Sequence, residues 1–207
     1  MTRIPYIDNA AGLDGESLHV YEDIKASRGK VIGVFSLLLN SPRVAKLVAD
    51  LGGYLRFDSP LNTRLKELII ITTLSENSCQ FEWSFHEGFA LTSGISPQLV
   101  EAIKYKKTLN FENKNTSCGI ELADYDVLLI TYIRELINNK RVSDACFNQF
   151  KQQFSTQEIT EITSLIGYYC MVACQLNAYE LPAEAGKPSL PEPFVNNELA
   201  RVAEEVN

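Results

Sequence analysis

The chain has 207 residues and a formal net charge of -7, with 45% hydrophobic and 22% charged residues. That size and composition suit a globular protein with one sizeable core, and the acidic balance disfavours nucleic acid and anionic membrane surfaces, both of which select basic faces. No basic start leads into an apolar run, and no apolar stretch approaches the ~18 residues of a membrane span, so the expectation is a cytoplasmic protein with no nucleic-acid and no membrane partner.

Five cysteines (Cys79, Cys118, Cys146, Cys170 and Cys174) are scattered and odd in number. This is no secreted disulfide framework, and free thiols are expected in a reducing compartment. With only His19 and His86 available, a multi-histidine zinc site within one chain is not expected, and neither a metal nor any other cofactor is implied.

Residues 1–16 carry Pro and Gly without a period and read as an extended arm. Residues 17–28 open on Ser17 as a cap, show apolar spacing and stop before Gly29. A short helix follows over about 33–39. Ser41 and Pro42 start the next, with Val44, Leu47, Val48 and Leu51 on one face. Ser59, Pro60 and Asn62 announce a helix whose 68–71 segment is apolar all round, as for a helix buried on most sides.

A polar break at 75–78 then allows Asn77 or Ser78 to cap a new helix that runs to Ser93 and stops at Gly94. Ser96-Pro97 opens another. The polar stretch 104–117 reads as a linker or exposed loop between two helical halves, about 17–107 and 119–180. The second half predicts helices over 122–138, 143–154 and 155–179, the last two opened by serine caps. The tail from 181 to 207 holds Pro182, Pro188, Pro191 and Pro193 and reads as extended, with a last helix expected from Asn197. No stretch alternates like a strand, so the fold class is all-α, in one domain. Glu161, Cys174, Gln175 and Asn177 loosely echo Glu67, Cys79, Gln80 and Glu82, which leaves open an internal duplication or an accidental match.

Chemistry concentrates in residues 67–86, which bring thiol, carboxylate and imidazole together. At about 100° per residue, Cys79, Glu82 and His86 (i, i+3, i+7) share one helical face, and Glu82 and His86 form an i,i+4 pair able to exchange a proton. In the first turn of its helix Cys79 would be favoured as a thiolate. If Glu67 faces inward, burial makes it a second proton carrier; on a wet face it would pair with Arg64 instead. Trp83 could wall off water, and Asn177, continuing the Cys170/Cys174 stripe, could reach the same pocket. Each residue also has an ordinary role open to it: buried thiol, helix ion pair or core aromatic. His19 reads as a surface or interface residue.

The segments RIPYIDNAAG, YEDIKASRGKVIGVFSLLLNSP, LNTRLKELIIITTLSENSCQFEWSFHEGFALTSGIS and ITEITSLIGYYCMVACQLNAYELP resemble the longer, two-part members of the carboxymuconolactone decarboxylase family, also called alkylhydroperoxidase D-like. The resemblance implies an all-α helical bundle whose central helical hairpin carries the site, and homo-oligomers, dimer to hexamer, that complete it. In the hydroperoxidase branch a Cys-x-x-Cys pair reduces peroxides. Cys79 matches its first cysteine, Glu67 its upstream glutamate and His86 its downstream histidine. Glu82 stands where the second thiol would be, and Phe81 where a histidine would be, so a peroxidase here would need one-cysteine chemistry with an external thiol. In the decarboxylase branch a Glu and His four apart move the proton, and Glu82 and His86 match that. The resemblance thus leaves three readings: an enzyme on a small organic acid or lactone acting through Glu67, Cys79, Glu82 and His86; a one-cysteine hydroperoxidase; or an oligomeric protein that only binds.

Overall fold

The computed structural model describes residues 2–109, 123 and 125–191, and among them every regular element is helical. In chain order these are α1 (Gly15–Arg28), α2 (Val34–Leu38), α3 (Pro42–Gly53), a π-helical turn (Tyr54–Asp58), α4 (Thr63–Glu76), α5 (Gln80–Thr92), α6 (Pro97–Lys104), α7 (Asp126–Asn139), α8 (Asp144–Gln153) and α9 (Thr156–Ala178). The helix expected from Asn197 and most of the linker expected over 104–117 lie outside the described residues.

The bundle is built around α4. Asn62 caps it by accepting the Leu65 backbone N–H, and every residue from 65 to 75 is buried. No polar face remains, so α4 must be covered on all sides. It packs most extensively on α5, α7 and α9. The α4–α5 hairpin is therefore the central layer, with α9 along one flank and α7 along another. By length and composition α9 is apolar enough to cross a membrane, yet its apolar side is taken up by α4: Ile162, Leu165, Ile166, Val172 and Leu176 are all buried in the common core.

Caps set most boundaries. Ser96, Ser143 and Ser155 accept from Leu99, Cys146 and Glu158, as their spacing predicts. Three expectations shift. Asp14, not Ser17, caps α1; Ser17 lies at the third helical position, where its hydroxyl accepts from the Asp14 N–H and donates to the Asp14 carbonyl. Neither Asn77 nor Ser78 caps α5. Asn77 ends α4, Ser78 turns the chain with φ 51°, and Cys79 takes the capping position. The echo between 67–82 and 161–177 has no matching geometry, because Glu161 and Cys174 lie on the single helix α9 whereas Glu67 and Cys79 lie on two elements.

The N-terminal arm and the segment after α9 both dock on the bundle. In the N-terminal arm the Arg3 N–H bonds the Tyr179 carbonyl, and the Tyr6 hydroxyl accepts from the Gly33 N–H. In the tail, Leu190 exchanges both backbone bonds with the Gln80 amide, and Lys187 sits over the Phe85 ring.

Across the α4–α7 contact, Arg64 forms a two-pronged ion pair with Asp126 (2.8 and 2.7 Å), whose side chain is fully buried. Removing only the arginine strands a buried carboxylate. The Arg64→Met variant is expected to lose about 3 kcal/mol of unfolding free energy in urea denaturation, and Arg64→Met/Asp126→Leu to recover most of it.

Candidate functional site

A cavity of about 330 Å³ opens between α5, α9, the π-helical turn and the loop before α2. Glu82 and His86 line it from α5, Tyr168, Tyr169 and Val172 from α9, Arg28 from the end of α1 and Arg56 from the π-helical turn. Phe35, Phe57, Phe81, Phe85 and Phe89 are among its apolar lining residues. Gly33 forms the edge beside Phe81. Its φ of +64° is left-handed, and an added Cβ would come within 2.8 Å of the Phe81 ring. A side chain there would be strained and would push into the cavity wall.

His86 sits at the back of the cavity, 1% exposed, with a partner on each ring nitrogen. Nδ1 lies 2.8 Å from Glu67 Oε2 across the hairpin. Nε2 lies 3.5 Å from Glu82 Oε2 and 3.3 Å from the Tyr169 hydroxyl. Tyr169 and Phe89 both meet the imidazole edge-on. Burial alone would favour the neutral ring, but the hydrogen bonds to Glu67 and Glu82 outweigh it and raise the His86 pKa above 6.5. The protonated ring donates from both nitrogens. Burial holds the Tyr169 phenol well above its usual range and pushes Tyr168 up to about 12, so both are protonated at neutral pH.

Glu67 is inward, not on a wet face: it is 6% exposed, and Arg64 is committed to Asp126. Its second oxygen lies 3.9 Å from Arg56. Arg56 reaches the site because the π-helical turn is pinned by Lys66, whose buried ammonium donates to the carbonyls of Arg56 and Ser59 at 3.0 Å each. The two neighbours on α4 thus have linked tasks, Lys66 holding the turn and Glu67 facing what the turn presents. Arg28 stacks on Phe35, 4.6 Å from the ring centre, and gives one N–H to the Ala49 carbonyl. Its Nε is buried without a hydrogen-bond partner, and burial lowers its pKa. The lining carries Arg28, Lys30 and Arg56 against Glu82, with Glu67 behind His86. That balance favours an anion.

The predicted residues therefore divide. Glu67, Glu82 and His86 come together. Cys79 does not line the cavity: it is 0% exposed, and burial raises its thiol pKa to about 12 against the lowering effect of the Glu82 backbone N–H. It is the helix cap, with ψ 90°, so it leaves the helical screw that would align it with Glu82 and His86. Trp83 also lies outside the cavity, fully buried in the core with its indole N–H 2.6 Å from Glu87. Asn177 donates to the Asn77 carbonyl and secures the turn after α4 rather than reaching the cavity. Arg28, Arg56, Tyr168 and Tyr169 were not expected there. The two tyrosines had a faint signal, adjacent hydroxyls within an apolar helix; the arginines had none. Among the described residues no three His, Cys, Asp or Glu side chains converge as a metal site.

Residues 42–104 match the Carboxymuconolactone decarboxylase family model, which covers α3 to α6. No curated protein is matched by the sequence. Among solved structures, the chain resembles an uncharacterized peroxidase-related protein from Ralstonia eutropha JMP134 with an alkylhydroperoxidase AhpD core, at 14% identity over 89% of this chain and 93% of that one (TM-score 0.67). It also resembles a putative antioxidant defence protein AhpD of unknown function from Agrobacterium tumefaciens, at 20% identity over 72% and 96% (TM-score 0.60). A third likeness is to the debrominase Bmp8 in complex with 2,3,4-tribromopyrrole, at 13% identity over 88% and 93% (TM-score 0.64). At such identities these likenesses establish the fold.

Because the folded-state pKa of His86 is raised, the stability it contributes is fully present below 6.5 and is lost as pH rises through the folded value. The gap in denaturation midpoint between the natural protein and His86→Gln, followed from pH 5 to 9, is expected to be widest at the acid end and to narrow upward. A constant gap would mean a ring that is neutral throughout.

Proposed function

Starting from the carboxymuconolactone decarboxylase family, whose model matches residues 42–104 of this chain, we propose that the protein is an enzyme that moves a proton on a small organic anion, with His86 as the proton carrier. The observation that carries this reading is the buried imidazole with an acid group on each side, one face of the assembly opening into a cavity lined by arginines.

In this reading Arg28 and Arg56 hold the substrate anion. The aromatic walls exclude water and strengthen each electrostatic contact. When the C–C bond to a departing carboxylate breaks, its electron pair moves into a conjugated carbonyl of the substrate. The arginines take up the negative charge that develops on that oxygen, and the carbon receives the proton from His86 Nε2. Glu67 fixes the ring and keeps it protonated. Glu82, with 17% of its side chain exposed, is the route by which a proton returns from solvent. Tyr169 orients the same nitrogen. Lactone opening or isomerisation of an unsaturated acid needs the same parts.

The one-cysteine hydroperoxidase reading has less support. A peroxidatic cysteine needs an accessible, low-pKa thiol, and Cys79 is neither accessible nor low. The test is turnover of a panel of small unsaturated acids and lactones in deuterated water, with CO2 release and carbon deuteration followed by NMR. Glu82→Gln and His86→Gln are expected to lower the rate about 10²–10⁴-fold, while Cys79→Ser stays near the natural rate. Activity that survives His86→Gln and disappears with Cys79→Ser would overturn the proposal in favour of the thiol chemistry.

Self-association belongs to the same reading. Val44, Leu47 and Leu51 on α3 and Tyr54 and Phe57 on the π-helical turn form an exposed apolar stripe, and Phe57 is also part of the cavity rim. A second copy lying on this stripe would roof the cavity. Leu47→Glu is expected to shift the mass measured by light scattering toward one chain; an unchanged mass would remove the stripe from the interface.

A further inference from the structure

Among the cations on the cavity lining, Arg28 is placed to take a ligand's charge. Arg56 is drawn toward Glu67 at 3.9 Å, and Lys30 is exposed to solvent, where a charge pairs weakly. Arg28 makes no ion pair among the described residues. One of its five N–H groups has a partner there, the Ala49 carbonyl at 2.8 Å. Its guanidinium lies over the Phe35 ring, 4.6 Å from the centre, with the Phe57 ring at 6.0 Å. With a face covered in this way, a guanidinium meets a carboxylate at its edge, fork to fork and in one plane. Glu82 lines the same space and repels a second carboxylate.

The walls suit an aromatic guest of limited size. Seven of the sixteen lining residues are phenylalanine or tyrosine, and only Ile32, Val34 and Val172 are aliphatic. Ring edges and faces attract another ring beyond the area they bury. Tyr168 cannot retreat to enlarge the space, because its hydroxyl rests on the backbone of α3: a Cβ added at Gly52 would lie 2.1 Å from it. At about 330 Å³ the cavity is roughly twice the ~150 Å³ that suffices for benzene. That leaves room for one ring and a short arm.

We propose that the cavity takes an aryl monocarboxylate: one aromatic ring among the phenylalanines and tyrosines, joined by a short unsaturated arm to a carboxylate held by Arg28. Conjugation keeps ring, arm and carboxylate in the plane that the guanidinium edge defines, whereas a saturated ring turns out of it. Such a substrate keeps its carboxylate, so the reaction it suits is a shift of the double bond along the arm. The electron pair of one C–H bond forms the new double bond, the pair of the old one takes up a proton at its far carbon, and no co-reactant is needed. This step rests on the proton-transfer reading of the site; the binding does not.

Binding to the full chain is measured by isothermal titration calorimetry with trans-cinnamate, with 3-cyclohexylacrylate and with cis,cis-muconate, an open-chain dicarboxylate. Cinnamate is expected to bind tightest, with cyclohexylacrylate about 2–10-fold weaker and muconate weaker than either. Arg28→Met is expected to weaken cinnamate about 10–100-fold, and Arg28→Lys, which keeps the charge and loses the fork, by less. The lysine variant carries the test alone if the methionine variant does not fold. The proposal is overturned if muconate or cyclohexylacrylate binds as tightly as cinnamate, if none of these acids binds, or if the Arg28 variants bind cinnamate like the natural protein. Turnover is read separately by NMR with 4-phenylbut-3-enoate: cinnamate bound but no double-bond shift supports the ligand class and counts against the proton-transfer reading.

Discussion

Burying Glu67 requires a positive partner at the centre of the bundle. A carboxylate in a helix with no wet face is expensive unless a cation meets it. His86 meets one oxygen and Arg56 approaches the other. These two partners come from different directions, His86 from the second arm of the α4–α5 hairpin and Arg56 from a π-helical turn. The hairpin must therefore close in one register, and the turn must keep its unusual winding. Lys66, the residue before Glu67, secures the turn by donating to the Arg56 carbonyl within it and the Ser59 carbonyl just after it. Rare π-helical turns tend to occur at functional sites, and this one supplies an arginine where regular α winding would point the side chain elsewhere.

The same compensation makes the site chemically useful. A histidine between two carboxylates has its pKa raised in a place where burial alone would lower it. One carboxylate is shielded and structural; the other faces the cavity. In the proposed reaction that asymmetry sets the direction of proton travel, from the solvent side inward to the ring and from the ring to whatever occupies the cavity. Arg28 keeps a buried, unpaired N–H although it has given another to a carbonyl.

Much of the helical frame was legible because caps and apolar period are local. Serine caps at 96, 143 and 155 and the all-round apolar run in α4 are read from a few neighbouring residues. The Glu82/His86 pair was legible for the same reason, being one turn apart. Cys79 was misplaced because the helical wheel assumes that every residue lies on the screw, and a capping residue does not. Trp83 was misplaced because neighbours on a helix diverge by about 100°; Glu82 turns to the cavity and Trp83 to the core. Tyr169 had only the faint signal of adjacent hydroxyls in an apolar helix, and Arg56 had none. They meet His86 and Glu67 only after α9 and the π-helical turn have docked, and no spacing within the chain encodes that docking.

The clasp between Gln80 and Leu190 has a consequence for biosynthesis. The hairpin with most of the proton-handling groups is complete by residue 92, yet Tyr169 and the strand of tail that holds the first turn of α5 are made much later. A chain emerging from its N-terminus carries an imidazole and two carboxylates with no closed cavity around them until about a hundred further residues have been added. The cavity and the clasp on the first turn of α5 are therefore complete only once synthesis has passed residue 190.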